Sequence, residues 1–539
     1  MTKQNFSSRR GLHEMADVKN ILFIMCDQLR ADYLSCAGHP TLETPNIDAL
    51  AARGVRFDRA YTQSPVCGPS RMSFYTGRYM VSHGATWNGV PLDVSEWTMG
   101  DYLRPLGKRC VLVGKTHMVE DAEGMARLEV NKATDLGVLV SQCGFEPWER
   151  DDGLIPSGGS APNLRYNKWL NEQGYPGDNP WHDYANSAEG PDGETLTGWQ
   201  MRYARKPARV KAEHSETPYM TNRAMEFMEE AGDEAWCMHL SFIKPHWPYV
   251  APAPYNDIYG PNQIMAANRT EAERAHPHPV VAAYMEHDES KTFQEDETRS
   301  TVIPVYMGLV KQIDDELGRL FEYMDNNGLS DNTMIVLTSD HGDYLGDHWL
   351  GEKELFHEAS VRIPMIVVNP SKTADATRGT SSDALVEAID LIPTFVEAAG
   401  GRVEKKRLEG RSLLPLLHDT AVPEDWREAA FSELDYGFRG ARNSLEKEPN
   451  AALAWMVRTD RWKYIYYDGF PPQLFDLEND PDEQTDLGSS ARHATIREEK
   501  QDRLFTWFRR RRFRRTMSDD TVIERTDKSQ EKGFRIGEW

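Results

Sequence analysis

The sequence predicts an α/β fold: a mainly parallel sheet sandwiched by helices, followed by a smaller α+β domain containing an antiparallel sheet. Three observations carry this expectation. Short runs rich in β-branched and apolar residues recur at 20–26, 109–113, 235–242, 334–338 and 365–368, as strands buried on both faces require. Helical patterns separate these runs, and strand–helix alternation over such a length selects a parallel sheet with crossovers on both faces. Beyond about residue 423 the spacing changes: runs at 455–458, 462–467 and 473–476 lie close together, as antiparallel strands do.

Taken in order, residues 1–18 read as an N-terminal extension, with Met15-Ala16-Asp17 as an internal start. Arg9-Arg10 is followed by no apolar h-region, and the run 20–26 is too short to span a bilayer. A soluble cytoplasmic protein without a membrane partner is expected. A helix over 46–53 follows Thr44-Pro45 and stops at Gly54. Residues 144–211 are rich in Gly, Pro, Asn and Trp without a sustained period, which predicts a long irregular excursion over the sheet edge. Amphipathic spacing predicts helices over 218–230, 302–324 and 383–399. The expected organisation is a large domain over 19–422, an antiparallel subdomain over 423–500, and a basic helix (504–515) with a polar tail over 501–539.

A formal net charge of −23 excludes nucleic acid and acidic membrane surfaces as default partners, since both would be repelled at long range. The arginine-rich run 509–515, interleaved with Phe505, Trp507, Phe508 and Phe513, instead reads as a helix docking on an acidic face of its own chain or of a sister subunit. In the second case a homo-oligomer, dimer or tetramer, is expected. Six cysteines without CxxC spacing indicate neither a zinc knuckle nor a disulfide framework.

Five segments carry chemistry. In Cys67-Gly68-Pro69-Ser70-Arg71 the proline at an initial helical position sets Cys67 at a helix N-terminus, where an anion is best held. Asp27-Gln28 and Asp340-His341 each end a predicted strand, where ligand sites of open α/β sheets gather; a lone Asp there is otherwise a cap or a turn residue. Lys115 and His117, just after the run 109–113, offer a point charge and a group that exchanges protons near neutral pH. Alone, that tetrapeptide is better read as a solvated lysine beside a core histidine. Lys244-Pro245-His246-Trp247-Pro248 forms a rigid turn after a strand, and Lys353 follows the Asp340-His341 pair at a loop's length.

Together, Cys67-Gly68-Pro69-Ser70-Arg71 with Thr76-Gly77-Arg78, Gly114-Lys115-Thr116-His117 and Lys244-Pro245-His246 resemble the sulfatase family, and do so in motif order from about Lys19 to Leu487. The resemblance implies an alkaline-phosphatase-like fold and a small anionic ester as substrate. It also implies that a formylglycine-generating enzyme converts Cys67 to 3-oxoalanine. The hydrated aldehyde would attack with one hydroxyl and expel product with the other. By the same resemblance Asp27, Gln28, Cys67, Asp340 and His341 surround one divalent ion. Oxygen donors suit Ca²⁺, and the imidazole suits Mn²⁺. Arg71 would orient residue 67, Lys115 would neutralise the transferred group, and His117 would trigger product release. His246 and Lys353 would assist the leaving oxygen, while Asn88 would bind a substrate oxygen. Relatives commonly carry Asp-Asp and Asp-Asn where this chain has Asp27-Gln28 and Asp340-His341. That departure resembles the phosphonate monoester hydrolases and phosphodiesterases of the same superfamily, the alternative to a promiscuous arylsulfatase-like enzyme. A non-catalytic anion- or metal-binding protein with an unmodified Cys67 is the remaining alternative.

Overall fold

The computed structural model describes residues 18–153, 164–511, 514–526, 528, 530–533 and 535. The expected N-terminal extension up to residue 17 and the pair Arg512-Phe513 of the expected basic helix lie outside them.

The central sheet has eight strands: β1 (Asn20–Asp27), β2 (Val55–Phe57), β3 (Arg109–Gly114), β4 (Glu146–Arg150), β5 (Trp236–Pro245), β6 (Thr333–Ser339), β7 (Met365–Val368) and β8 (Thr380–Ser382). Their spatial order is β8-β2-β7-β6-β1-β5-β3-β4. From β6 to β4 every pair is parallel, whereas β7 runs antiparallel to both β6 and β2. The five apolar runs of the sequence all lie in this sheet.

The principal helices are α1 (Pro45–Arg53), α2 (Cys67–Thr76), α3 (Glu216–Ala231), α4 (Asp296–Asn326), α5 (Leu391–Ala398) and α6 (Ala494–Arg509). Alternation along β1 distributes them. Leu22, Ile24 and Cys26 join the core shared with α1, α3 and α4, whereas Ile21, Phe23 and Met25 join that of α2 and α5. Because both faces of β1 are covered, every one of its residues is buried, which is why it reads as a continuous apolar run.

Three expectations need correction. The segment 144–211 is not wholly irregular: it contributes β4, which pairs with β3 at the sheet edge. Pro147, Glu146 and Glu149 hide that strand from the apolar pattern, and an edge position tolerates all three. The helix over 383–399 begins only at Leu391; Val386–Glu387 instead pairs with Ala60–Tyr61, and the Glu387 amide donates to Asp390 Oδ2 at 2.8 Å as helical geometry begins. The helix over 504–515 runs instead over Ala494–Arg509, its first half too polar to show an apolar stripe.

The second sheet is antiparallel and follows chain order: β9 (Ala430–Asp435), β10 (Leu453–Arg458), β11 (Trp462–Tyr467) and β12 (Gln473–Asp476). Helix α6 packs on it through Trp507, whose ring stacks on Phe431 at 4.3 Å and meets Tyr79, from the segment after α2, edge-on at 4.8 Å. Arg511 lies over the Trp507 ring and pairs with Glu433, while Arg515 pairs with Glu96. Among the described residues no helix is long and apolar enough to cross a membrane.

Trp507 thus joins helix, second sheet and large domain. Trp507→Ala is expected to cost about 2–3 kcal/mol, less than a fully enclosed core tryptophan. The loss should appear as a lower urea midpoint; an unchanged midpoint would mean that α6 contributes no stability.

Candidate active site at the strand ends

Strands β1 and β6 are parallel neighbours in register Cys26 to Ser339, so the residues that follow, Asp27 and Asp340, emerge side by side. Helix α2 starts at Cys67 and aims its N-terminus at the same point. Gly68 permits this approach: a Cβ there would lie 2.8 Å from Asn88 Oδ1, which accepts the Gly68 amide at 2.7 Å. Cys67 is buried, its Sγ 3.0 Å from His341 Nε2, 3.3 Å from Lys353 Nζ and 3.7 Å from Asp27 Oδ1.

Arg71, one turn beyond Cys67, faces the same way and is fully buried. Its Nε donates to Asp340 Oδ2 at 2.8 Å and its Nη2 to Asp27 Oδ2 at 3.2 Å. Its Nη1 donates to the Lys115 carbonyl at 2.9 Å and to Ser241 Oγ at 2.8 Å. Lys115 Nζ reaches Asp27 Oδ2 at 2.5 Å. Gly114 delivers that lysine: with φ of 112° it passes so close to β5 that a Cβ would lie 2.0 Å from the Ser241 carbonyl oxygen. Burial pushes the Asp27 carboxyl up, but the Lys115 ammonium and the Arg71 guanidinium outweigh it and hold the group well below the usual carboxylate range.

The donor set suits a divalent cation. Ligand atoms of Asp27, Cys67, Asp340 and His341 all lie within 4.8 Å of one another. His341 Nδ1 donates to the Gly342 carbonyl at 2.8 Å, and burial keeps the ring neutral, so Nε2 presents a lone pair. That lone pair is 3.8 Å from Asp27 Oδ1 and from Asp340 Oδ1. Carboxylate oxygens and an imidazole nitrogen facing one another at this distance match such an ion.

On the other side of the thiol, Lys353 Nζ contacts Gln28 Oε1 at 3.2 Å and His246 Nε2 at 3.1 Å. His246 Nδ1 donates to the Trp247 carbonyl at 2.7 Å, so Nε2 accepts from Lys353. Burial and then Lys353 hold the His246 pKa well below its ordinary value. Burial opposes the Lys353 charge, but Cys67, Glu352 and Asp27 overcome it and raise its pKa, so the ammonium persists. Gln28 is held from behind: its Nε2 donates to Asp343 Oδ2 at 2.5 Å, and Tyr249 OH donates to the same oxygen at 2.6 Å. Five non-glycine residues in the loop that carries Lys353 adopt positive φ: Leu345, His348, Trp349, Glu352 and Glu354. Arg30 and Arg299 hold its backbone through the carbonyls of Asp343, Tyr344 and Leu345.

His117 has φ of 55° and borders the same thiol. Its backbone amide and that of Thr116 donate to Asp152 Oδ1 at 3.0 and 2.8 Å, and its Nδ1 is buried without a hydrogen-bond partner. Burial, then Lys115, lowers its pKa. All eleven residues singled out in the sequence therefore lie in or against one cluster. Sequence reasoning missed Asp152, Asp343, Tyr249 and Glu352. The pair Asp151-Asp152 after β4 was a usable signal for the first; the others support site residues from behind and carry no motif.

A Sulfatase family profile matches residues 19–401, and one described as N-sulphoglucosamine sulphohydrolase, C-terminal, matches residues 346–509. The multifunctional alkaline phosphatase superfamily protein PehA of Trinickia caryophylli is 31% identical over 515 residues, covering 91% of this chain and 95% of that protein. The choline-sulfatase of Rhizobium meliloti is 28% identical over 482 residues, 88% of this chain and 83% of that one. Among solved structures, the phosphonate monoester hydrolase of Silicibacter pomeroyi superposes with a TM-score of 0.80 at 29% identity, covering 93% and 96% of the two chains. That of Agrobacterium radiobacter gives 0.78 at 28%, covering 90% and 95%. With the motifs gathered at the ends of an alkaline-phosphatase-like sheet, the chain belongs to the sulfatase family of the alkaline phosphatase superfamily.

Proposed function

We propose that the protein is a metal-dependent hydrolase of sulfate monoesters in which residue 67, after conversion of Cys67 to formylglycine, is the nucleophile. One observation carries this reading: a lysine ammonium, a neutral imidazole and a carboxylate converge on a single buried thiol at a helix N-terminus. Formylglycine supplies two hydroxyls on one carbon, and a Ca²⁺ or Mn²⁺ ion held by Asp27, Asp340, His341 and residue 67, with Gln28 beside them, would acidify a hydroxyl and polarise the ester.

The chain's own groups do the rest. Arg71 and Lys115 balance the carboxylate charge, so an anionic ester enters a site that is not net repulsive. Lys353 donates to the leaving oxygen, and His246, accepting from Lys353, keeps the ammonium directed there. Asn88, whose Oδ1 accepts the Gly68 amide, has its side-chain NH2 to donate to a substrate oxygen. His117, neutral through burial and with an unpartnered Nδ1, accepts the proton whose loss releases the acid. A formylglycine-generating enzyme is then a transient partner of this chain.

Phosphonate monoester or phosphate diester hydrolysis by the same machinery is the second reading. The neutral Gln28 and the imidazole of His341, and the likeness to two phosphonate monoester hydrolases, favour it. All three esters carry one negative charge, so the site is expected to accept more than one. Turnover of matched aryl sulfate, phosphonate and phosphodiester reporters decides between the readings.

Peptide mass spectrometry should find residue 67 as formylglycine. Cys67→Ala should abolish turnover, and Cys67→Ser should be severely impaired because a serine lacks the second hydroxyl. Near-wild-type steady turnover by Cys67→Ser would refute the nucleophile assignment.

Elemental analysis should find one divalent ion per chain, lost in Asp340→Asn. Chelation should stop turnover and metal addition restore it. Full activity in metal-free protein would refute the ion.

With an aryl sulfate, His117→Ala should release about one phenol per active site in a burst and then stall. Lys353→Ala should show no burst and lose about 10²–10⁴ in rate, the loss shrinking as the phenol becomes more acidic. If the two patterns were exchanged, so would be the roles.

A further inference from the structure

We propose that Met72, Met118 and Cys143 form a site for a soft monovalent cation of the Cu⁺ class, separate from the strand-end cluster and reached through a surface cleft. The proposal goes beyond the ester-hydrolase reading and does not depend on it.

Three sulfur atoms converge there. Cys143 Sγ lies 3.0 Å from Met118 Sδ and 3.8 Å from Met72 Sδ, and the Cys143 amide donates to the same Met118 sulfur at 3.0 Å. All three side chains are buried, and each comes from a different part of the fold. Met72 belongs to α2, one residue after Arg71; Met118 follows His117; Cys143 precedes β4 and holds a left-handed φ of 54°. Thiolate and thioether sulfurs are the donors that select Cu⁺ over harder ions.

Charge narrows the class of ion further. Burial pushes the Cys143 thiol pKa well above its ordinary value, so only an ion with strong affinity for sulfur displaces the proton. That proton leaves to solvent as the metal–sulfur bond forms, and no electron is transferred. One thiolate and two neutral thioethers then cancel a single positive charge, whereas a divalent ion would leave a charge uncompensated in the core.

Sulfurs sharing one ion in a trigonal plane, at a metal–sulfur distance of about 2.3 Å, stand about 4 Å apart. The Met72 contact already has nearly that spacing, and the Met118 contact reaches it by opening about 1 Å. Met118 can supply this movement, because it is an unbranched thioether lining a cleft of about 450 Å³ between residues 92–104 and 136–144. Gly144 lines the same cleft beside Cys143, and Trp97 and Leu136 on its walls are exposed, so an ion has a path from solvent.

Anaerobic titration of the full-length protein with Cu⁺, in competition with a chromophoric Cu⁺ chelator, tests the site. The wild type should hold one Cu⁺ more than Cys143→Ala. Met118→Leu and Met72→Leu, which keep side-chain volume, should each weaken that ion by about tenfold or more. Zn²⁺ should bind wild type and Cys143→Ala in equal number. Equal Cu⁺ numbers in those two proteins, unchanged Cu⁺ affinity in either leucine variant, or a Zn²⁺ difference would overturn the site. Should Cys143→Ala fail to fold, the two leucine variants decide alone.

Discussion

The site depends on one buried guanidinium. Arg71 touches groups carried by four neighbouring parallel strands: Asp27 closing β1, the Lys115 carbonyl after β3, Ser241 within β5 and Asp340 after β6. No other cation type serves as well, because a planar fork can engage two carboxylates and two neutral acceptors at once while staying charged. The carboxylates in turn make the burial of Arg71 tolerable, since an uncompensated charge there would cost several kcal/mol. The position of residue 67, strand-end spacing and local charge are therefore one problem with one solution. The helix that presents residue 67 also delivers Arg71, one turn later.

This coupling explains what the sequence made legible. Residues placed at strand ends sit in short motifs next to apolar runs, so Asp27, Lys115, His246 and Asp340 could be located once those motifs were read together with the family resemblance they carry. Helix α2 could be anticipated for the same reason, from a proline and a cysteine at its start. The sheet core was legible because burial on both faces leaves little room for polar residues.

What escaped notice depends on contacts distant in sequence. Asp343 and Tyr249 orient the Gln28 amide, yet they come from two loops some 90 residues apart, as their shared hydrogen bond spans. Asp152 follows an edge strand whose proline and glutamates mask it. The ribbon at Val386–Glu387 looked helical because a buried apolar run has no readable period when every side is covered.

The loop from Leu345 to Glu354 ties the position of Lys353 to distant parts of the chain. Each left-handed non-glycine residue costs about 1–3 kcal/mol locally, so the isolated segment has no tendency towards this shape. It is imposed by Arg30, Arg299 and Arg439, which come from three separate regions of the chain. The contact of Lys353 with residue 67 therefore depends on all three regions being in place, and a change in any of them reaches the site through this loop.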